Sequence, residues 1–178
     1  MKKLFRHHSA AAGFTLIEVL VVIGIMGILL LGSIPSILNI MATRDVENTA
    51  RQIQTYLQQT KFQAVSTRIV HRVRFTRINS SYWTYDMERL QENGTWIKAG
   101  NAPRKVIPGN LNVTFTVPLS GGDPVIIFSP VGTVANYAIG QNTITLQNPK
   151  LNRPGQMDQR IISLYMGGSI QYSQRKSS

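Results

Sequence analysis

The chain contains no cysteine and only three histidines in 178 residues. The lack of cysteine excludes a disulfide framework and thiolate metal sites, but it leaves an oxidising compartment open, because disulfides are optional in domains of this size. Acidic residues are also scarce: 8 Asp and Glu face 19 Lys and Arg, and the formal charge is +11. This excess favours an anionic partner, although net charge alone reports solubility and non-specific affinity rather than function.

Patterns that carry catalysis are missing as well. Serine and aspartate residues are scattered without a nucleophile-elbow motif, and no glycine-rich loop that would cradle a phosphate is found. His71 lies among arginines with no carboxylate nearby in the sequence, so it is interpreted as a solvated strand residue rather than a general base. We therefore expect a protein without enzymatic activity, cofactor or metal ion.

One long apolar run stands near the N-terminus, where apolar residues are concentrated between Phe14 and Ile40. As a helix, the part from Phe14 to Ile34 would rise about 30 Å, which is the hydrocarbon thickness of a bilayer. Three cations precede it: Lys2, Lys3 and Arg6. They should hold the N-terminus in the cytoplasm, so the sequence predicts a single membrane span with everything after Pro35 on the other side.

The position of a cleavage site decides whether this run is kept. An ordinary secretory signal needs small residues after the apolar stretch, and Leu31 and Ile34 occupy the positions that should be small. Before the run, residues 8–13 instead make a flexible approach of mainly small residues to Phe14. A cut there would leave the apolar helix in the mature protein.

The residues at that point carry a family resemblance. The string Gly13-Phe14-Thr15-Leu16-Ile17-Glu18, followed by Val19-Leu20-Val21-Val22-Ile23, resembles the type IV prepilin processing motif of pilins and type II secretion pseudopilins. The resemblance implies that a prepilin peptidase cuts between Gly13 and Phe14 and methylates the new amine of Phe14. Residues 1–13 would be a cleaved leader, and 14–40 a transmembrane helix that forms the filament core. Without the leader the formal charge is +8, and His71 remains as the single histidine, which excludes a histidine-rich zinc site.

Glu18 is a carboxylate within the predicted span, where such a group costs about 2.5 to 3.5 kcal/mol. No basic side chain lies within the run. The resemblance implies that the amine of Phe14 on a neighbouring copy neutralises Glu18 and so sets the axial register between subunits. The alternative is that Glu18 lies at the cytoplasmic interface and snorkels toward water.

The helix is expected to continue beyond the span and enter a head. Pro35 should kink or locally melt it near the outer membrane face, because proline removes a backbone donor. An amphipathic helix is predicted for residues 41–66, and its apolar stripe consists of Val46, Ala50, Ile53, Leu57, Ala64 and Val65. Asp45 and Glu47 would complement the helix dipole if a break preceded them.

Residues 67–173 show short β-branched and aromatic runs separated by turn residues, which predicts an antiparallel β-rich head. The predicted strands are Ile69–Ile78, Tyr82–Arg89, Thr95–Lys98, Leu111–Val117, Val125–Phe128, Thr143–Leu146, Arg160–Met166 and Ser169–Ser173. Asn93-Gly94 and Gly167-Gly168 predict hairpins. Residues 174–178 are expected to be a frayed polar tail. The predicted class is α+β and pilin-like, with a long N-terminal membrane-spanning helix packed on an antiparallel sheet or sandwich.

A second resemblance lies in the head. The residues Phe128-Ser129-Pro130-Val131-Gly132-Thr133 are similar to the F-x-P-x-G signature of the GspH/FimT group, carried here by Phe128, Pro130 and Gly132. In physical terms this spacing predicts a tight turn after a buried strand. The group includes minor pseudopilins of type II secretion and minor pilins that prime type IV pili.

The resemblance implies a minor pseudopilin or minor pilin, anchored in the inner membrane with a periplasmic head. Its implied partners are other pseudopilins or minor pilins at a hetero-oligomeric filament tip, the prepilin peptidase, an inner-membrane assembly platform and the lipid bilayer. One alternative is DNA uptake through a basic cluster consisting of Arg68, Arg72, Arg74 and Arg77. Near the C-terminus only Arg175-Lys176 is present, without the Gly-Arg-x-Arg pattern of DNA-binding FimT-type pilins. Another alternative is a membrane-tethered periplasmic hydrolase.

Overall fold

The computed structural model describes residues 14–78, 82–100, 102–151 and 156–176, and of residues 31–37 it describes only the backbone. The chain divides into two compact units, Met1–Leu38 and Asn39–Ser178. A single helix, α1, runs through Leu16–Thr67 and contributes to both. It continues through Pro35, so the helix does not melt there, and a bend at this residue stays a prediction.

In the first unit, the described side chains of α1 are apolar on every face and exposed on every face. Leu16 is 84% exposed and Ile28 72%, and even the least exposed of the large apolar side chains is close to half exposed. Within the described residues, no helix has the length and hydropathy needed to cross a membrane. The predicted span is therefore not confirmed.

In the second unit, the part of α1 from Asn39 onward buries one stripe. Five of the six predicted stripe residues are buried completely, and they are Val46, Ala50, Ile53, Leu57 and Ala64. Val65 is 45% exposed, because it lies one residue, or about 100°, around the helix from Ala64. Thr49 and Thr60 are buried beside the stripe, where each hydroxyl donates to the carbonyl four residues earlier. A hydropathy pattern does not identify such residues as buried. A threonine whose hydroxyl is hydrogen-bonded within its own helix can pack like an apolar side chain.

Ten strands follow α1 in the described residues. They are β1 His71–Ile78, β2 Tyr82–Leu90, β3 Trp96–Lys98, β4 Lys105–Ile107, β5 Asn112–Thr116, β6 Leu119–Ser120, β7 Asp123–Phe128, β8 Thr143–Gln147, β9 Gln159–Leu164 and β10 Ile170–Arg175. One sheet has the order β3-β2-β1-β7-β6, with β4 also paired to β2, and the other has the order β10-β9-β8-β5. All pairings are antiparallel. The predicted α+β class, with a long N-terminal helix followed by antiparallel sheets, is confirmed.

Both predicted hairpins are present. Gly94 and Gly168 adopt φ values of 79° and 77°, the left-handed region that glycine enters without a Cβ penalty. Asn93 does not share the positive φ, and its side-chain Oδ1 instead accepts a hydrogen bond from the amide of Thr95 at 3.0 Å. The turns between β2 and β3 and between β9 and β10 therefore follow from their residue types.

Two short strands and the C-terminal end differ from the prediction. β4 and β6 were not predicted, because runs of three and two residues are too short to show an alternating pattern. Strand β10 continues to Arg175, where Gln174 pairs with Arg160 and Arg175 with Gln159. The polar tail predicted from residue 174 is thus strand over its first two residues.

Candidate functional site

The start of α1 is built as a capping box. Thr15 precedes the first helical residue, and its Oγ1 accepts a hydrogen bond from the Glu18 amide at 3.3 Å. The Glu18 Oε2 accepts in return from the Thr15 amide and from the Thr15 hydroxyl, both at 3.2 Å. Two of the amides that a helix start leaves without partners are satisfied in this way. Gly13, the predicted cleavage position, lies outside the described residues.

This arrangement gives Glu18 a local role that the sequence analysis missed. The signal was the Thr-x-x-Glu spacing directly before an apolar run, which is the pattern of a capping box. Within the described residues Glu18 forms no salt bridge, so its charge has hydrogen bonds but no cation. Phe14 beside it is 86% exposed. The start of α1 therefore presents an anion that has no cation among the described residues, together with an exposed aromatic ring.

The F-x-P-x-G residues form a turn that ties three elements of the head together. Phe128 is fully buried at the end of β7, and the chain reverses through hydrogen bonds between Ser129 and Thr133. Gly132 has a φ of 85°, and a Cβ at this position would come within 3.2 Å of Lys61 and Val65 of α1. The predicted tight turn after a buried strand is present, and the positive φ of Gly132 favours glycine at this position.

The same turn touches the β9–β10 hairpin. A Cβ built on Gly168 would lie 1.8 Å from the carbonyl oxygen of Gly132, and the Lys61 Nζ donates to the Gly168 carbonyl at 2.9 Å. Two glycines 36 positions apart thus meet where helix, turn and hairpin converge. The role of this contact is structural.

Two of the four arginines in the predicted basic cluster are neutralised by carboxylates. Arg72 is buried, its Nε lies 2.5 Å from Glu88 Oε2, and its guanidinium stacks over Trp96 at 4.1 Å. The Arg74 Nη2 lies 2.7 Å from Asp123 Oδ2. Charges paired in this way are poorly available to phosphates, because a phosphate contact would have to displace the carboxylate.

The other two arginines of the cluster are placed differently. Arg77 lies over the Trp83 ring at 5.8 Å, and Arg68 adopts a φ of 56° directly after α1 ends. His71 is a strand residue at the start of β1, as expected, but the expected solvation was wrong: it is buried, and its Nδ1 donates to the Ile69 carbonyl at 2.8 Å. No single surface collects the four arginines as a set of free charges.

Glu47 organises a polar network between α1 and the second sheet. Its Oε2 accepts from the Arg160 Nε at 2.9 Å and from the Tyr172 hydroxyl, while its Oε1 accepts from the Arg51 Nε at 2.7 Å. The Arg160 side chain is 2% exposed, and its Nη1 also donates to the carbonyls of Met157 and Gln159. The dipole role was expected for Asp45 and Glu47 only if a break preceded them, and α1 has no break there.

The protonation of Glu47 is shifted by this environment. Burial raises its pKa, but hydrogen bonds from Tyr172, Arg160 and Arg51 together outweigh burial, so the net pKa lies below the ordinary value of 4.5. The ionised carboxylate therefore stabilises the head above about pH 4.5, and this contribution is lost as the pH falls through the lowered pKa.

We expect acidification below pH 4.5 to lower the free energy of unfolding more steeply for the unaltered chain than for Glu47→Gln. Parallel urea titrations of both proteins at several pH values measure this. If the free energy of unfolding changed equally with pH in both proteins, the prediction would be contradicted.

Comparisons with known proteins find matches to the N-terminal motif and to the fold. The family described as the prokaryotic N-terminal methylation motif matches residues 8–34. The minor pseudopilin EpsH from the type 2 secretion system of Vibrio cholerae is similar at a TM-score of 0.55 and 14% identity, over 73% of this chain and 97% of that chain. A second structure of EpsH gives 0.53 and 16%, over 76% and 97%. The type IV minor pilin FimU of Pseudomonas aeruginosa gives 0.48 and 17%, over 74% and 90%. No curated protein matches the chain in sequence.

The methylation motif and a pilin-like fold therefore occur together in this chain. The motif spans residues 8–34, and the fold is similar to that of the minor pseudopilin EpsH over about three quarters of the chain.

Proposed function

We propose that the chain is a minor pseudopilin of a type II secretion filament, or the equivalent minor pilin of a type IV pilus. It is made with a leader, cut between Gly13 and Phe14 and methylated at Phe14. It is anchored in the inner membrane by a single pass, with the N-terminus cytoplasmic before processing and the head periplasmic. Other pseudopilins or minor pilins are its partners, together with the prepilin peptidase and the inner-membrane assembly platform.

The observation that carries this proposal is the uncovered apolar helix of the first unit. Large apolar side chains on all faces of α1 between Leu16 and Leu30 are about half exposed or more. Leaving each in water forgoes about 1.5 to 3 kcal/mol relative to burial, so a helix of this kind needs an apolar surrounding. A bilayer supplies it before assembly, and the helices of neighbouring subunits supply it within a filament.

Glu18 supports filament assembly as the use of this helix. A carboxylate in an apolar surrounding needs a countercharge, and no described residue of the chain supplies one. The amine of Phe14 on an adjacent copy is a suitable cation, since cleavage creates it four residues before Glu18. Such a pair can form at only one axial offset between neighbouring helices. A single carboxylate can therefore set the register between subunits.

A pair of substitutions separates register from helix capping. Glu18→Ala removes both the charge and the capping acceptor, whereas Glu18→Gln keeps an acceptor at the same capping position and removes only the charge. We expect both variants to be inserted and processed, with a mature N-terminus at Phe14, but to be absent from sheared filaments. Mass spectrometry of the membrane fraction and immunoblotting of the filament fraction measure this.

Thr15→Ser, which retains the capping hydroxyl, is the matched control and should assemble normally. If Glu18→Gln assembled as well as the unaltered chain, capping would be the role of Glu18, and the register proposal would be wrong. If the mature protein began at any residue other than Phe14, the proposal of prepilin processing would itself be wrong.

DNA binding receives no specific support from the described residues. Arg72 and Arg74, the pair proposed to meet phosphates, hold Glu88 and Asp123 instead.

A further inference from the structure

A groove of about 1050 Å³ runs beside the C-terminal half of α1. It lies outside residues 14–40, the segment proposed to form the filament core. One wall is a polar row on α1 consisting of Thr55, Gln59, Gln63 and Thr67, spaced four residues apart. Such a row lies on one helix face and extends for about 18 Å. The opposite wall is formed by β2, β4 and the segment between β3 and β4.

The floor of the groove is held in place by one tyrosine. The Tyr56 hydroxyl accepts from the Met87 amide at 2.9 Å and donates to the Pro103 carbonyl at 3.3 Å. Its ring packs edge-on against Tyr85 at 5.0 Å. These contacts join the helix to both strand-side elements, so the groove does not depend on a ligand for its shape.

The charges around the groove are of one sign. Arg89 and Lys105 line it together with His71, and no aspartate or glutamate is among the described lining residues. Elsewhere in the described residues, five arginines each lie within 3 Å of a carboxylate oxygen: Arg51, Arg72, Arg74, Arg104 and Arg160. Neither Arg89 nor Lys105 forms such a pair with a carboxylate in the described ranges. The groove therefore holds two cations that have no carboxylate partner among the described residues.

The spacing of the two cations follows from the sheet register. Lys105 pairs with Tyr85, and Tyr85 lies four residues before Arg89 on the same strand. Cross-strand partners share a face, as do residues an even number of positions apart, so both cations lie on the face toward α1. Four residues of strand span about 13 Å.

We infer that this groove binds an extended acidic segment of a partner protein. Carboxylates four residues apart on an extended chain are also about 13 Å apart and would meet Arg89 and Lys105 together. The glutamines of α1 offer donors and acceptors to a peptide backbone, and Phe62, which is 68% exposed, offers an apolar contact at the rim. Two cations beside amide and apolar groups suit a peptide better than duplex DNA, whose binding rests on many phosphate contacts.

The test uses the full chain in detergent and a fluorescein-labelled synthetic peptide. The peptide is about eight residues of threonine and valine with two glutamates four positions apart, and a second peptide carries glutamines instead. We expect the glutamate peptide to bind, and Arg89→Gln combined with Lys105→Gln to weaken it by about tenfold or more, as measured by fluorescence anisotropy. Lys150→Gln combined with Lys176→Gln removes the same charge from exposed positions outside the groove and should leave the affinity within about twofold.

Each other outcome overturns the inference. If the glutamine peptide bound as tightly as the glutamate peptide, the groove would not recognise acidic side chains. If both double variants lost the same affinity, the effect would come from net charge and not from the groove. Binding of labelled duplex DNA, lost in the groove variant while neither peptide binds, would assign the groove to nucleic acid. Because the inference concerns the head alone, the Glu18→Gln variant should bind the peptide normally. A failure of peptide binding can therefore be distinguished from a failure of filament assembly.

Discussion

Glu47→Ala is expected to lower the free energy of unfolding of the head by about 3 to 5 kcal/mol, because it leaves the Arg160 guanidinium charged and almost fully buried. The same change removes the acceptor of the Tyr172 hydroxyl and the countercharge of Arg51. The contribution of Arg51 is small, since its side chain is 60% exposed. Urea unfolding followed by tryptophan fluorescence measures this, since both tryptophans, Trp83 and Trp96, lie in the head.

Asp45→Ala is the matched control on the same helix. Asp45 is exposed and forms no ion pair in the described residues, so its removal should change the free energy of unfolding by about 0.5 kcal/mol or less. Equal effects of the two alanine substitutions would contradict a special role for Glu47. Replacing Glu47 and Arg160 together by Leu and Met should recover much of the loss, because the cost arises from an unpaired buried charge rather than from a missing attraction.

The Glu47 network shows what could not be predicted from the sequence. Glu47 was recognised as a charge on a helix, but its partners Arg160 and Tyr172 follow 113 and 125 residues later, and no local pattern links them. Only the packing of α1 against β9 and β10 brings the three together. Long-range polar contacts depend on tertiary geometry, which residue periodicity does not encode.

Other contacts could be predicted once strand pairing is known. Arg72 lies directly opposite Glu88 in the β1–β2 register, and these two residues form the ion pair. The same rule fails for Arg74, which faces Asp86 but binds Asp123 of β7, while Asp86 binds Arg104. The choice among nearby carboxylates is made by side-chain reach and by the second neighbouring strand.

The elements that could be predicted have local causes. The hairpins at Gly94 and Gly168 follow from residues that tolerate positive φ, and the stripe from Val46 to Ala64 follows from helical spacing. The groove beside α1 was missed because its glutamines look like an ordinary solvated face. Its two cations become meaningful only when the pairing of β2 with β4 places them on one side of a sheet.

Gly168→Ala is expected to destabilise the head by about 3 kcal/mol through two separate penalties. A side chain at a φ of 77° costs about 1 to 2 kcal/mol. The added Cβ would also lie 1.8 Å from the Gly132 carbonyl oxygen, a separation that no rotamer relieves because both atoms belong to the backbone framework. Moving the hairpin away would break the Lys61 hydrogen bond to the Gly168 carbonyl and adds a packing cost of about 1 to 3 kcal/mol.

Gly140→Ala separates these two penalties, because Gly140 has nearly the same φ, 76°, but an added methyl group there would meet no described atom within 4 Å. It should therefore cost only the conformational part, about 1 kcal/mol, in the same urea experiment. The difference between the two variants measures the contact between the β9–β10 hairpin and the F-x-P-x-G turn. If both alanines destabilised the head equally, the turn and the hairpin would not be held by close backbone packing.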